Sequence, residues 1–403
     1  MSATTVTVKE AVFGRTGKAI AVAALCACAG LGAWVAMMNL GLATTTAMGN
    51  IFNWGLLIAV FAFLVGFGAG AQLVASGIVL FGWPESQRLV LPLQACGLGA
   101  VIGAAVAVMA DLGSPFHIFA MVLHPNPASP LAWDMVALTA FIVLAFVGLL
   151  AVARGWRSRR VWMAVAGVAA VALQVVEGLL FALMGARAWW HSVLEPVDFL
   201  VVALVCGFAL AVLLGACFKR SDGLEAAISM ARWLFWAVLV HVALSLGELG
   251  LLVSEQTAGA QEALALVGSY GWLYALELGL PLVAVVVLRV RLREAGRGRL
   301  VVCALLVAVG MFAHRLMLLY PALGAGTLFI PLSDAPSPSW LYPVSTGYPL
   351  GPSGHVETFA LLQAYVPTGL EWLAVLLPVG LAVLVALVAY NVARAVGKAA
   401  AAE

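Results

Sequence analysis

Apolar runs long enough to cross a bilayer recur along the whole chain, and they constrain its fold more than any other feature. A helix of about 20 mostly apolar residues spans the hydrocarbon core of a membrane. The predicted spans are 19–39, 55–82, 89–112, 131–153, 161–185, 196–218, 231–253, 267–289, 299–320 and 367–394. Only 9% of the 403 residues are charged, too few to cover a water-facing surface. The sequence therefore predicts an all-α integral membrane protein with about ten transmembrane helices.

The basic residues are sorted between two sets of loops. Lys and Arg are disfavoured in translocated segments, so they collect in cytoplasmic loops. The N-terminal tail, the even-numbered loops and the C-terminal tail hold 18 of the 20, namely Lys9, Arg15, Lys18, Arg88, Arg154, Arg157, Arg159, Arg160, Lys219, Arg220, Arg232, Arg289, Arg291, Arg293, Arg297, Arg299, Arg394 and Lys398. The odd-numbered loops hold Arg187, and Arg315 lies within a span. Both termini are thus predicted in the cytoplasm, with the first run retained as a helix rather than cleaved as a signal sequence.

A faint internal repeat subdivides the single polytopic membrane domain predicted over 1–403. Asp111-Leu-Gly recurs as Glu248-Leu-Gly at an offset of 137 residues, which also relates Glu177 to His314. Spans two to five and six to nine would then form two four-helix bundles of like orientation, plus flanking helices. The predicted units are a first span with its linker, a first bundle, a second bundle, an extracytoplasmic loop and a last span, at 19–54, 55–185, 196–320, 321–366 and 367–394.

Several cofactors and partners are disfavoured by composition. The six cysteines form no C-x-x-C pair or C-x-x-C-H motif, so ligand sets for an iron–sulphur cluster or c-type haem are lacking. His241 and His314 are the only histidines deep within spans, and their predicted depths differ, which disfavours b-type haem. A net charge of +2 without a basic patch argues against nucleic acid. We expect no haem, no iron–sulphur cluster and no metal in this chain.

Ionisable side chains within spans are costly and mark functional sites. Most of them fall in the predicted outer half, whereas the cytoplasmic half has mainly Gln72 and Gln94. The residues expected to form a proton path, or the buried ion pairs that support the bundles, are Glu177, His241, Glu248, Glu277, His314 and Arg315.

The sequence does not show which residue each of these ionisable side chains contacts. His241 and Glu248 share a helix face and lie about 10 Å apart along the axis, so water could link them. Alternatively, each contacts a different neighbouring helix. Arg315 is always charged and needs an acid if it is buried. Glu177, Glu248 or Asp111 would serve.

Two histidines and two carboxylates cluster around the second outer loop. Asp111 ends the third span, His117 and His124 follow it, and Asp134 opens the fourth span. A quinone head group needs hydrogen-bond donors, a group that titrates near neutrality and an apolar entry for its tail. These four residues are the predicted catalytic groups, with Asp111, His117 and Asp134 as quinone ligands. The alternative is that they cap helix ends and order the loop.

The long segment 321–366 is rich in proline and aromatic residues, including Pro331, Pro336, Trp340 and Tyr342. Proline interrupts helices and sheet ladders, and loops of this length are often functional. The segment is predicted to be an ordered docking surface, or else a lid over its own helix ends.

Two stretches carry a resemblance to a known family. Asp111-Leu-Gly-Ser-Pro-Phe-His-Ile-Phe and His124-Pro-Asn-Pro-Ala-Ser-Pro-Leu-Ala-Trp-Asp134 resemble the signature of NrfD/PsrC-type, polysulphide reductase-like membrane subunits. Ala364-Tyr-Val-Pro-Thr-Gly-Leu-Glu371-Trp is similar to the tail of their ten-span branch. The resemblance implies two four-helix bundles without a bound redox cofactor, and a menaquinone or ubiquinone site near the outer face. It also implies an extracytoplasmic iron–sulphur partner and Asp111, His117 and Asp134 at the quinone site or its proton exit.

The leading hypothesis is therefore a quinone-reactive membrane subunit of a respiratory oxidoreductase in a prokaryotic cytoplasmic membrane. It would be one subunit of a complex rather than a complete enzyme, with menaquinone as substrate. Its partners would be an extracytoplasmic iron–sulphur subunit and further oxidoreductase or cytochrome subunits. Its buried ionisable residues would either conduct protons or support the bundles from within, and the sequence leaves open whether protons reach the cytoplasmic side. The alternatives are a secondary transporter, which would function without partner chains, and a passive membrane anchor of such a complex.

Overall fold

The computed structural model describes residues 16–48, 52–185, 187, 189–218, 221–255, 257–290, 292–323, 329–330, 340–341 and 365–400. Within these ranges, ten helical segments are long and apolar enough to cross a membrane. The predicted all-α, multi-pass membrane fold is confirmed, because each predicted span coincides with one of these segments. The location of both termini in the cytoplasm stays a prediction. Under that prediction, each span has a predicted inner end, facing the cytoplasm, and a predicted outer end, facing the opposite side.

The α-helices, in chain order, are α1 (Gly17–Leu40), α2 (Leu42–Thr45), α3 (Leu56–Phe81), α4 (Val90–Asp111), α5 (Ile118–Leu123), α6 (Pro130–Ala153), α7 (Arg159–Ala182), α8 (Glu195–Cys217), α9 (Ser221–Ser254), α10 (Ala258–Ser269), α11 (Gly271–Val290), α12 (Arg297–Leu323), α13 (Gly369–Ala374) and α14 (Leu376–Ala400). Short 3₁₀ helices cover Pro84–Leu89, Pro115–His117 and Leu292–Glu294. Two short antiparallel strands, β1 (Phe329–Ile330) and β2 (Trp340–Leu341), pair within the predicted extracytoplasmic loop. The rest of that loop lies almost wholly outside the described residues.

The seventh span differs most from its predicted bounds. It was expected over 231–253, but α9 runs for 34 residues from Ser221. Its first turns pack Ala226 and Ala227 into the core and carry Asp222, which forms an ion pair with Arg88. A hydropathy count stops at such polar turns even though the helix continues. The short helix α10, between the seventh and eighth spans, was not predicted either, because a hydropathy count does not detect helices with polar turns.

The packing centres on α3 and α8, which contact each other. α3 also packs against α4, α7 and α12, and α8 against α7, α9 and α12. Further neighbours are α4 with α6, α6 with α7, α9 with α11 and α11 with α12, while α14 joins α1 to α4. These contacts are compatible with two groups of four helices that meet at α3 and α8. The predicted bundle division and its residue boundaries are not tested further and stay a prediction.

Gly70 on α3 and Gly207 on α8 let the two central helices touch backbone to backbone. A Cβ at Gly70 would overlap the carbonyl oxygen of Ala203, and one at Gly207 would overlap that of Gly70. Only glycine permits such an approach, as at other small-residue interfaces in membranes. The two glycines are 137 residues apart, the same offset as in the faint repeat. Equivalent positions of two repeats meet in this way when they lie on a local symmetry axis.

Replacing either glycine should therefore destabilise the chain. We expect Gly70→Ala and Gly207→Ala each to lower stability by about 1 to 3 kcal/mol, the usual cost of overpacking, because the obstacle is backbone that cannot rotate away. Denaturant titration in mild detergent micelles would measure the loss. Gly77→Ala is the matched control on α3, since its Cβ would meet only the Phe81 ring at 3.8 Å. Equal stability of all three variants would contradict the close contact.

Candidate functional site

Four ionisable side chains from four different spans meet in the interior. Asp198 lies on α8, His241 on α9, Glu277 on α11 and His314 on α12, and all are buried. His241 Nδ1 is 3.2 Å from Asp198 Oδ1, and His314 Nε2 is 3.0 Å from Asp198 Oδ2. His314 Nδ1 is 2.9 Å from Glu277 Oε1, whereas His241 Nε2 lies 3.8 Å from the same oxygen. Each imidazole thus lies between two carboxylates. We call these four residues the histidine–carboxylate cluster.

The cluster balances charge where water is scarce. Two imidazolium ions would neutralise two carboxylates, and charged groups buried in a membrane need such partners. The two rings lie edge to face with their centroids 5.0 Å apart. Imidazole takes up and releases protons near physiological pH, so the arrangement offers several adjacent proton positions.

Polar neighbours extend the cluster toward the predicted outer end. Ser245 donates to Glu277 Oε1 at 3.1 Å, and the Tyr274 hydroxyl donates to the Ser245 carbonyl at 2.9 Å. About two turns beyond His241 on α9, Glu248 accepts a hydrogen bond from the Ser192 hydroxyl at 3.1 Å. His241 and Glu248 therefore contact different neighbouring segments, the alternative that the sequence left open.

Three members of the cluster could also ligate a metal ion. Asp198, His241 and His314 each offer one ligand atom, and these atoms lie within 4.8 Å of one another. Glu277 would then orient the histidines from their other ring nitrogens, a common arrangement behind metal-bound imidazoles. The sequence predicted no metal, but the donor set fits a divalent cation such as zinc.

Arg315 is buried where α3, α7, α8 and α12 meet. Its guanidinium carbon lies 3.9 Å from the centroid of the Phe199 ring, and a Cβ at Gly66 would be 3.4 Å from one of its nitrogens. None of its side-chain nitrogens has a hydrogen-bond partner among the described residues. Glu177 and Glu195 are its electrostatic neighbours. Of the acids proposed from sequence, Glu177 is thus the one that lies near Arg315, without a direct hydrogen bond.

A second polar group surrounds Glu177. Gln174 donates to Glu177 Oε2 at 3.2 Å, and Asp134 is a close electrostatic neighbour. One oxygen each of Asp134, Gln174 and Glu177 is buried without a partner in the described structure. Buried polar atoms are nearly always hydrogen-bonded, and small interior waters commonly provide the partner. The site therefore suits water.

The predicted inner half is less polar. Gln72 donates to Ser76 at 3.0 Å, Ser76 donates to the Met163 carbonyl at 2.7 Å, and Gln94 contacts the Met163 sulphur. Both glutamine side-chain oxygens are buried without partners among the described residues. These amides are the polar groups through which water would have to connect the interior to the predicted inner end.

At the predicted outer end, Asp111 lies beside Glu371 and the backbone of Gly55. Glu371 accepts hydrogen bonds from the Tyr365 hydroxyl and from the backbone N–H of Ala47, at 3.0 Å for the latter. It also closes a capping box with Thr368 at the start of α13. Burial, and then Glu371, raise the pKa of the Tyr365 hydroxyl above its usual range, so Tyr365 stays a donor. Through these bonds Glu371 connects the last span to the segment between α1 and α3. Glu371 itself lies next to Asp111.

Two apolar grooves are lined by residues adjacent in sequence to this pair of carboxylates, Ala110 in one and Trp372 in the other. The first, which we call the α1–α4–α14 groove, has a volume of about 440 Å³. It is lined by Ala24, Ala27, Cys28, Leu31, Trp34, Val106, Met109, Ala110, Leu377, Leu381 and Leu384. Two of these lining residues are hydrogen-bonded, because the Trp34 indole donates to the carbonyl of Ala110, one residue before Asp111, at 3.0 Å. The second, of about 450 Å³, includes Phe63, Phe67, Phe312 and Trp372.

The four residues predicted as catalytic do not form one contact group. Asp111 joins Glu371, and Asp134 joins Glu177 in the interior. His117 ends an exposed 3₁₀ turn and His124 lies exposed after α5. No hydrogen bond links either histidine to Asp111 or Asp134 among the described residues. The sequence placed all four at one outer level, but spacing along the chain does not show which helix face a residue occupies. Their roles stay predictions.

Sequence reasoning missed Asp198 as a site residue. Asp198 lies at the start of α8, whereas His241 lies well inside α9, so the distances of the two residues from their span ends give no sign that they are in contact. Glu195, three residues before Asp198 on the same face of α8, was missed as well. The available signal was the pair of acids in the first turn of a span.

A family model described as polysulphide reductase, NrfD, matches residues 44–325. The chain belongs to this family. The match contains the histidine–carboxylate cluster, Arg315, Asp111 and Asp134, whereas α1 and α14, which form two walls of the α1–α4–α14 groove, lie outside it. The NrfD-family resemblance read from the sequence is thereby confirmed.

Three relatives share part of this region. A protein named as a membrane subunit of dimethyl sulfoxide reductase, from Halobacterium salinarum, is 33% identical over 222 residues, covering 49% of this chain and 51% of the relative. A selenate reductase subunit from Mesobacillus selenatarsenatis is 23% identical over 44% of this chain and 52% of the relative. An Hdr-like menaquinol oxidoreductase integral membrane subunit from Archaeoglobus fulgidus is 23% identical over 40% of this chain and 42% of the relative. The chain thus spans about half the length, or less, of the relatives it matches.

Removing the charge of Asp198 should destabilise this NrfD-family chain strongly. Asp198→Asn leaves two buried imidazoles with one carboxylate, and breaking a buried pair costs about 3 to 5 kcal/mol. Asp222→Asn is the matched control, because its ion pair with Arg88 is solvent-exposed and should contribute about 0 to 1 kcal/mol. Denaturant titration of both variants in detergent would compare the losses. Similar small losses would mean that Asp198 does not hold the cluster together.

Proposed function

We propose that this chain is the quinone-reactive membrane subunit of a multi-subunit respiratory oxidoreductase in a prokaryotic cytoplasmic membrane. It would exchange electrons with an extracytoplasmic iron–sulphur subunit, accompanied by further oxidoreductase or cytochrome subunits. The observation that carries the proposal is the α1–α4–α14 groove, which ends beside Asp111. The names of its relatives, which include reductase subunits and a menaquinol oxidoreductase subunit, support it.

The groove suits an isoprenoid quinone by its chemistry. Its walls are almost wholly apolar, and Ala24, Ala27 and Ala110 leave room for a tail. Ligand sites of this kind combine an apolar lining with a few polar groups that orient the head. Asp111, which follows the lining residue Ala110, and its neighbour Glu371 would be those groups. Menaquinone is the proposed substrate, and one family relative acts on menaquinol by its name.

Asp111 would exchange protons with the head group. Quinone reduction takes up two electrons and two protons, and quinol oxidation releases them. The electrons would pass to or from the partner's cluster, while a carboxylate beside a second carboxylate can accept or donate a proton. Exposed His117 and His124 would pass protons between this site and the outer solution.

The interior polar groups would conduct protons across the chain. Asp134, Glu177, Arg315 and the histidine–carboxylate cluster follow one another from α6 to α12, and several of their atoms lack a protein partner in the described structure. Water between such groups would link them into a path. Glu248 would join at the predicted outer end and Gln72 and Gln94 at the predicted inner end.

Filling the groove should weaken quinol binding. Cys28 lines the groove, so Cys28→Trp would occupy tail space and raise the KM for a long-tailed quinol about tenfold, equivalent to about 1.4 kcal/mol. Cys26→Trp is the matched control, since Cys26 does not line this groove. Steady-state kinetics on the complex purified in mild detergent would measure both.

Asp111→Asn distinguishes this proposal from a passive anchor. Loss of a general acid–base group should lower quinol-linked kcat by about a hundredfold, with the quinol KM much less affected. Glu255→Gln, at an exposed carboxylate on the predicted outer end, should leave the rate unchanged. Full activity of Asp111→Asn, or a chain that purifies without partners and binds no quinone analogue, would overturn the proposal and favour an anchor or a transporter.

His241→Gln tests proton conduction separately. Gln keeps a hydrogen bond to Asp198 but cannot carry a proton, so proton transfer across vesicles should fall about a hundredfold. Electron transfer from quinol, measured in the same vesicles, should continue when an uncoupler is added. His191→Gln is the matched control, because His191 is exposed and, among the described residues, its ring contacts a backbone carbonyl, at 2.9 Å, rather than a carboxylate. Unchanged proton movement per electron in His241→Gln would remove the cluster from the path.

A further inference from the structure

A charged cleft opens between α9 and α11 at the predicted inner end, far from the groove and the cluster. It measures about 510 Å³. Its lining residues are Arg232, Phe235 and Trp236 on α9, Arg289 and Val290 at the end of α11, and Leu292 and Glu294 in the following turn. None of these residues takes part in the function proposed above.

The cleft presents excess positive charge. Arg232 and Arg289 are both exposed, and neither forms an ion pair with a carboxylate among the described residues. The Arg289 guanidinium carbon lies 5.8 Å from the centroid of the Phe235 ring, which holds it over the cleft. Glu294 is the one acid among the lining residues, so two guanidinium groups face a single carboxylate.

The cleft also lies at a membrane boundary. Arg289 and Val290 end a span, and the exposed face of α11 below them is apolar, with Val283 57% and Val286 48% exposed. Trp236 is 60% exposed on the opposite wall, and tryptophan favours the level of lipid head groups. A ligand that fits must therefore combine an anionic head with an apolar tail.

We propose that this cleft binds an anionic phospholipid, with its phosphate between Arg232 and Arg289 and its acyl chains along α9 and α11. Guanidinium groups match phosphate oxygens in pairs. Basic pockets between transmembrane helices at the cytoplasmic side bind acidic lipid head groups, and each basic residue near the surface contributes about 1 kcal/mol, or about fivefold in affinity. The aromatic rings and the apolar face favour a lipid over a free phosphate ion.

The test compares lipid retention by the full-length chain. The purified protein is incubated with mixed micelles of phosphatidylcholine and phosphatidylglycerol, washed in mild detergent, and its bound lipids are counted by native mass spectrometry. We expect the wild-type protein to retain phosphatidylglycerol over phosphatidylcholine. The double variant Arg232→Gln/Arg289→Gln should lose that preference by about 25-fold, because two arginines each contribute about fivefold.

Three comparisons make the outcome decisive. Arg157→Gln removes one exposed positive charge at the same predicted end, away from the cleft, and should retain the lipid as the wild type does. The double variant Arg232→Lys/Arg289→Lys keeps the charge and should retain most of it. Unchanged thermal midpoints would show that the variants are folded, and the single variants Arg232→Gln and Arg289→Gln replace the double one if it unfolds.

Three results would overturn the proposal. The first is equal retention of phosphatidylglycerol by the wild type and the glutamine variants. The second is a thermal stabilisation by inorganic phosphate, without lipid, as large as that by phosphatidylglycerol, which would identify a site for a free anion. The third is equal retention of both lipids by the wild type, which would exclude a role for the net negative charge of the head group.

Discussion

A charge inside a bilayer persists only beside a partner, and the structure of this chain depends on how it meets that constraint. α8, α9, α11 and α12 each contribute one ionisable group to the cluster of Asp198, His241, Glu277 and His314. Because an unpaired member would be left buried and charged, the four helices must keep a common depth and rotation. Apolar packing alone would not impose this, since lipid solvates the same side chains equally well.

Close helix contact is the complementary requirement. Gly70 and Gly207 bring α3 and α8 together without intervening side chains, and the polar groups from α7 and α12 collect around that contact. Arg315, Glu177 and Gln174 therefore lie between the two halves of the chain rather than against lipid. Because the Arg315 side chain donates no hydrogen bond to protein atoms among the described residues, it relies on the Phe199 ring and on nearby acids.

The polar groups form two separate sites, and each site suits a different task. The α1–α4–α14 groove, where we propose that quinone binds, is lined by the residue before Asp111, while the histidine–carboxylate cluster is enclosed by α8, α9, α11 and α12. Under the proposed function, the groove would hold the substrate and the cluster would conduct protons. Because the groove and the cluster share no residue, each can be altered without changing a residue of the other.

The sequence by itself determined the ten spans, the family and the identity of most buried ionisable residues, because hydropathy, charge sorting and a local motif are properties of neighbouring residues. Their pairing was decided only by the tertiary structure. Asp198 meets His241 because α8 and α9 pack with these two residues facing each other, and Asp134 separates from Asp111 because successive helices present different faces. Contacts between spans depend on depth and rotation, which a linear pattern does not encode.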